Sequence, residues 1–124
     1  MNNKPKILLV EDDESLSNVY MTRFEAEGFD IRRVGNGEDA LAAALSFQPD
    51  IVLLDIMMPK VDGFNVLDIL RNTPQTEKLK IIILSALSQQ MDIEKANKLG
   101  ADDYLIKSEV TIADVVSKVK KELS

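Results

Sequence analysis

Short apolar runs alternate five times along the chain with longer stretches in which apolar residues recur at helical spacing. The runs cover residues 7–10, 30–34, 51–54, 81–84 and 104–106. The first, third and fourth are continuous and rich in β-branched residues, which is typical of strands that are covered on both faces. Strands that alternate with helices form βαβ units, because a parallel neighbour is reached only through a crossover. The pattern therefore predicts a (βα)5 domain, a parallel sheet between two layers of helices.

Capping residues mark the ends of the predicted helices. Glycine favours the position just after a helix, whereas Asp, Asn and Thr favour the position just before one. The fourth helix is predicted over residues 91–99. The stops are Gly28 and Gly100, and the candidate caps are Asn36 with Asp39, Asp62, and Thr111 with Asp114.

Composition excludes several classes of protein. The length of 124 residues suits one domain, which we expect to span residues 1–124, and an apolar fraction of 45% can form a core. The net charge of −6 disfavours nucleic acid as a partner. The chain has no Cys and no His, so it has neither disulfides nor a thiolate zinc site. No apolar run approaches the ~20 residues of a membrane span, and we expect a cytoplasmic protein without a membrane partner.

Polar residues follow four of the five predicted strands. They are Glu11, Asp12 and Asp13 after the first strand, Asp55 after the third, Ser85 after the fourth and Lys107 after the fifth. Ligands of open α/β sheets bind beyond the carboxyl ends of the strands, where these side chains would meet. An acidic cluster, a lone carboxylate, a hydroxyl and an ammonium together are typical of a phosphoryl-transfer site.

The acids at this edge predict a bound cation. Like charges ~4 Å apart repel by about 4 kcal/mol at an effective dielectric of about 20, so Asp55 beside the acids of the first loop requires compensation. Oxygen ligands without His or Cys favour Mg²⁺, or Mn²⁺, over zinc. Alternatively, Asp13, Glu14 and their neighbours only cap the first helix and interact with its dipole. The residues alone leave both interpretations open.

Several motifs match one known family. Asp55 is followed four residues later by Pro59 and then by Asp62-Gly63, while residues 7–13, Ser85-Ala86 and residues 100–107 supply the remaining motifs. In these features the chain resembles, over nearly its whole length, the receiver domain of two-component response regulators of the single-domain, chemotaxis-regulator type. The resemblance implies the flavodoxin-like fold, a three-layer sandwich whose sheet has the strand order 2-1-3-4-5.

The resemblance also implies roles for the residues of the acidic pocket. Asp55 would be the nucleophile that becomes an aspartyl phosphate. Asp12, Asp55 and the backbone carbonyl of Met57 would bind Mg²⁺, and Glu11 would contribute through a metal-bound water. The phosphoryl donor would be a sensor histidine kinase or a histidine phosphotransfer protein, since this chain has no His of its own.

Three further residues would respond to the phosphoryl group. Lys107 would pair with Asp55 and then with a phosphoryl oxygen, and Ser85 would donate a hydrogen bond to the group. Tyr104 would be the switch aromatic that turns inward when Ser85 moves, although without the family it is equally well a half-buried strand tyrosine. The altered face around strand 5 and helices 4 and 5 would be read by a downstream protein that the sequence does not identify. We expect a monomer or a weak dimer.

Two departures from the family pattern carry predictions of their own. The family usually has Pro after the lysine, but Ser108 follows Lys107 here. A non-proline cis bond costs ~2.5–4 kcal/mol, so we expect either a trans bond with a reshaped loop or a strained cis bond. Met57 and Leu87 lie two residues beyond Asp55 and Ser85, at positions that in the family influence self-hydrolysis of the acyl phosphate. Because apolar groups give an attacking water little help, we expect a comparatively long-lived phosphoryl state.

Other functions compete with this one. A phosphohydrolase of the haloacid dehalogenase type also uses a strand-end Asp, but it needs a second Asp where this chain has Met57. A receiver-like binding module that is never phosphorylated is the other rival. A P-loop protein is excluded because G-x-x-x-x-G-K-[ST] does not occur. An FMN site is disfavoured because acids crowd the place where phosphate-binding amides should be.

Overall fold

The computed structural model describes residues 4–58 and 61–124, and in this part of the chain strands and helices alternate as the pattern predicts. The strands are β1 Lys6–Val10, β2 Asp30–Val34, β3 Ile51–Leu54, β4 Lys80–Ser85 and β5 Asp103–Ile106. The helices are α1 Glu14–Ala26, α2 Ala40–Phe47, α3 Gly63–Arg71, α4 Gln90–Lys98 and α5 Ile112–Leu123, and a 3₁₀ turn covers Lys107–Glu109. Pro59 of the sequence motif lies outside the described residues.

The five strands form one parallel sheet in the order β2-β1-β3-β4-β5, which confirms the predicted flavodoxin-like topology. Alternate strand residues face opposite sides, so Leu8 packs in a core layer with α2, α3 and α4, whereas Leu9 packs in a second layer with α1 and α5. The register pairs Val10 with both Val34 and Leu54, and the carboxyl ends of β2, β1 and β3 therefore lie level. None of the described helices combines the length and the apolar character that crossing a bilayer requires.

Side chains at the helix starts confirm most of the predicted caps. The carboxylates of Asp13 and Asp62 each accept a hydrogen bond from a first-turn amide, and Thr111 forms a capping box with Asp114 before α5. For α2 the prediction holds for position only, because Asp39 is the residue just before the helix but makes no side-chain bond to it. Its carboxylate and its amide bond to Asn36 instead, which closes the preceding turn. The stops agree with the prediction, since the two glycines after α1 and α4 have positive φ.

Candidate functional site

The carboxyl ends of β1 and β3 bring three acids together. Glu11, Asp12 and Asp55 each offer a carboxylate oxygen, and these oxygens all lie within 4.8 Å of one another. The amide of Asp55 donates to the carbonyl of Val10 at 3.0 Å, so the two loops leave the sheet side by side. Glu11 is only 2% exposed and Asp55 only 4%, while Asp12 faces solvent. The predicted convergence of these acids is confirmed.

Lys107 reaches the acids from the far edge of the sheet. Its Nζ lies 2.6 Å from Oε1 of Glu11 and 3.4 Å from Oδ2 of Asp55. The ammonium therefore pairs with two of the three carboxylates, and the pocket keeps an excess of negative charge. The Lys107–Ser108 bond is trans and the chain enters a 3₁₀ turn there, which matches the first of the two predicted alternatives.

Burial and charge shift the titration of the pocket. The pKa of Glu11 is raised from 4.5 to about 7. Burial is the largest cause and the charge of Asp55 adds to it, while the hydrogen bonds from Lys107 and the Asp13 amide act in the opposite direction. Burial alone would lower the pKa of Lys107, but its hydrogen bond to Glu11 and the charge of Asp55 leave that pKa raised overall. The shift of Lys107 indicates that the neighbouring carboxylates hold its positive charge in place despite burial, whereas the shift of Glu11 reports mainly the cost of burying a carboxylate.

A backbone amide in the loop after β3 binds the Asp55 carboxylate. Oδ1 of Asp55 accepts a hydrogen bond from the amide of Met57 at 3.2 Å, which leaves Oδ2 facing Lys107. Gly63 closes this loop by donating to the carbonyl of Ile56 at 2.9 Å. A Cβ at Gly63 would overlap the backbone of Asp55 and Ile56, so the glycine of the Asp-Gly motif is required by close approach.

Ser85 and Tyr104 meet at the loop after β4. Ser85 is fully buried, and its Oγ accepts a hydrogen bond from the amide of Leu87 at 3.2 Å. The Tyr104 hydroxyl donates to the carbonyl of Leu87 at 2.8 Å, and burial raises the pKa of this tyrosine. The register pairs Leu54 with Ile83, so Ser85 lies at the same edge of the sheet as the acids. The two predicted switch residues are therefore joined through a single loop residue.

One residue at the site was not anticipated from the sequence. Arg33 of β2 donates to the backbone carbonyls of Glu11 and Asp12. Nothing in the pattern marks it, because β2 is the weakest of the apolar runs and carries two adjacent arginines, Arg32 and Arg33. The only available signal was the side-chain alternation of a strand, which sends these two arginines to opposite faces.

Comparison with known proteins agrees with this geometry. The chain is 39% identical over 103 residues to the DNA-binding dual master transcriptional regulator RpaA of Synechocystis, covering 83% of this chain and 43% of RpaA. It is 37% identical over 119 residues to the phosphate regulon regulatory protein PhoB of Rhizobium meliloti, covering 96% of this chain and 52% of PhoB. The chain thus spans about half the length of these relatives. Since their names describe transcriptional regulators, the expected absence of a nucleic-acid partner stays a prediction.

Solved structures give the same assignment. The Francisella response regulator 1452 receiver domain superposes with a TM-score of 0.87 at 33% identity, covering 98% of this chain and all of that one (100%). The BeF3-activated N-terminal receiver domain of Klebsiella pneumoniae RstA superposes with a TM-score of 0.88 at 28% identity, covering 95% and 97% of the two chains. Residues 7–120 match the family described as the response regulator receiver domain. The chain therefore belongs to the receiver domain family of two-component response regulators.

Proposed function

We propose that residues 1–124 form one receiver domain that takes a phosphoryl group onto Asp55 from the phosphohistidine of a kinase or phosphotransfer partner. An oxygen of the Asp55 carboxylate attacks the phosphorus, the P–N bond breaks, and the imidazole leaves with the electron pair. The observation that carries this proposal is the meeting of Asp55 with Glu11, Asp12 and Lys107 in one pocket.

The donor set fits Mg²⁺, with Mn²⁺ as a substitute. The pocket offers oxygen donors only, and one ammonium offsets three carboxylates. We assign Asp12, Asp55 and the backbone carbonyl of Met57 as direct ligands and Glu11 as a ligand through water. When bound, the ion neutralises charge on the phosphoryl oxygens and aligns them for in-line transfer.

Phosphorylation at Asp55 would be read by Lys107 and Ser85. The Lys107 ammonium, already near Oδ2 of Asp55, can pair with a phosphoryl oxygen, since an aspartyl phosphate adds charge and strong acceptors. Ser85 accepts from the Leu87 amide, and its own hydroxyl hydrogen, which lies near Tyr104, could turn to a phosphoryl oxygen. Movement of Leu87 would carry the change to Tyr104 and so to the face around β5, α4 and α5. Each ~1.4 kcal/mol by which the phosphoryl group favours one of the two conformations over the other changes the ratio of their populations tenfold.

We propose that the domain is a regulator whose chemistry is limited to its own phosphorylation and dephosphorylation. Two residues after Asp55, where a dehalogenase-type hydrolase needs a second carboxylate, this chain has Met57, which is 55% exposed. Met57 and Leu87 offer no acid or amide to an attacking water, so we expect the acyl phosphate to persist for minutes or longer. Loss within seconds would contradict this. We place the protein in the cytoplasm as a monomer or weak dimer.

Treatment with acetyl phosphate and Mg²⁺ tests the proposal. Intact-protein mass spectrometry should show the gain of one phosphoryl group, and both EDTA and Asp55→Asn should abolish it. Asp68→Asn is the matched control, because Asp68 is an exposed residue of α3 whose acceptor for Asn72 survives the change. If the wild type gains no mass, the domain is an unphosphorylated binding module. If Asp55→Asn still gains mass, the acceptor is another residue.

A further inference from the structure

Arg33 extends the hydrogen bonding of the sheet into the acidic loop. The ladder between β1 and β2 ends where the amide of Glu11 donates to the carbonyl of Val34 at 3.1 Å. Beyond this point, Nε of Arg33 donates to the carbonyl of Glu11 at 3.0 Å and Nη2 donates to the carbonyl of Asp12 at 3.1 Å. The two carbonyls that leave the sheet are thus held by one planar fork.

The space for this guanidinium is provided by a glycine. A Cβ at Gly35 would lie 3.2 Å from Nη2 and 3.6 Å from Cζ of Arg33, and at the first of these contacts the guanidinium would have to shift by a few tenths of an ångström. Gly35 is not among the glycines with positive φ, so no conformational demand explains a glycine at this position. The absence of a side chain at Gly35 therefore leaves room for the guanidinium of Arg33.

The two hydrogen bonds of Arg33 hold the backbone of Asp12, whose carboxylate has fewer hydrogen bonds in the described part of the chain than those of Glu11 and Asp55. The Glu11 carboxylate bonds to Lys107 and to the Asp13 amide, and the Asp55 carboxylate bonds to the Met57 amide. Within residues 4–58 and 61–124 the Asp12 carboxylate has no such bond, and it faces solvent. Its direction toward Asp55 therefore depends on the backbone, which Arg33 holds.

We infer that Arg33 is a positioning residue for the metal site: by gripping two successive carbonyls it aims the Asp12 carboxylate at the place where Mg²⁺ binds. This inference rests on the proposed function. Arg33 favours Mg²⁺ binding through its two hydrogen bonds and not through its charge, because a positive charge beside the pocket repels a second cation. A role through charge alone would make Mg²⁺ bind more tightly once Arg33 is neutralised, whereas positioning makes it bind more weakly.

Isothermal titration of the metal-free protein with Mg²⁺ separates these roles. Arg33→Gln removes the charge and the fork, and Arg33→Lys keeps the charge but offers a point donor in place of the fork. We expect both variants to bind Mg²⁺ about tenfold more weakly, the low end of what supporting partners of metal ligands contribute. Arg32→Gln is the matched control, because Arg32 is the neighbouring residue of β2 and its guanidinium lies 4.4 Å from the Phe47 ring centroid. Its Mg²⁺ affinity should equal that of the wild type.

A second probe leaves Arg33 intact. Gly35→Ala displaces the guanidinium through the 3.2 Å contact and should weaken Mg²⁺ binding in the same direction, by a smaller factor. Urea unfolding in EDTA monitors the fold of every variant. Unchanged Mg²⁺ affinity in both Arg33 variants, with or without lower stability, would overturn the positioning role of Arg33 but not the proposed Mg²⁺ site. Tighter Mg²⁺ binding by Arg33→Gln would also overturn the positioning role and would show that Arg33 acts through its charge. A wild type that binds no Mg²⁺ would overturn the proposed metal site as well.

Discussion

Neutralising Asp12 should stabilise the metal-free protein. Its carboxylate lies with those of Glu11 and Asp55 within 4.8 Å, and Lys107 bonds only to the other two. Two unit charges at that separation repel by about 3.5 kcal/mol at a dielectric of about 20 and by about 0.9 kcal/mol in water. Because Asp12 is exposed, the lower figure applies to each pair. We expect Asp12→Asn to raise the free energy of unfolding by about 1–2 kcal/mol at pH 8 in EDTA.

Urea and thermal unfolding followed by circular dichroism measure this gain. For 124 residues the unfolding entropy near Tm is about 0.26 kcal/mol/K, so Tm should rise by about 4–8 °C. If Asp12 binds Mg²⁺ as we propose, saturating Mg²⁺ should reverse the order, because the ion would stabilise the wild type more than a variant that has lost a ligand. Asp68→Asn, remote from the pocket, should leave both quantities unchanged. A loss of stability in Asp12→Asn without metal would refute the electrostatic reasoning.

Three further outcomes follow from the pocket. The pKa of Glu11 is raised to about 7 in the folded protein from 4.5, so the folded state holds this proton more tightly than the unfolded state. Wild-type stability in EDTA should therefore fall relative to Glu11→Gln as pH rises from 4.5 through 7, and parallel urea profiles would contradict the shift. Lys107→Met removes the only ammonium bonded to Glu11 and Asp55 among the described residues, and should cost about 2 kcal/mol in the same assay at pH 8. Gly63→Ala should destabilise by at least ~2 kcal/mol through overlap with the Asp55 loop, and wild-type stability in this variant would show that the loop adapts.

Much of the fold was predictable because apolar periodicity reports directly on which faces are buried. The pattern located every strand and the main helices, and parallel topology then determined which ends of the strands meet. The ends of the elements are less well determined by periodicity. β4 begins at Lys80, one residue before its apolar run, and α4 covers Gln90–Lys98, one residue earlier than its pattern.

Some features of the site were likewise predictable from the sequence, and others were not. Glu11, Asp12, Asp55 and Lys107 were predictable because each lies within two residues of the carboxyl end of a strand. Contacts from a side chain to a backbone carbonyl were not, since every residue has a carbonyl and the sequence marks none as an acceptor. The grip of Arg33 on the acidic loop and the bond from Tyr104 to Leu87 both belong to this class.

The unequal contacts of Lys107 bear on how readily Asp55 reacts. The ammonium forms its short bond, 2.6 Å, with Glu11 and lies at 3.4 Å from Oδ2 of Asp55. A tight ammonium contact would draw electron density from the attacking oxygen and blunt its nucleophilicity. In the reaction that we propose, Glu11 would draw the ammonium to itself and so leave the lone pairs of Asp55 free to attack phosphorus. The same lysine would remain near enough to neutralise the product once the new P–O bond had formed.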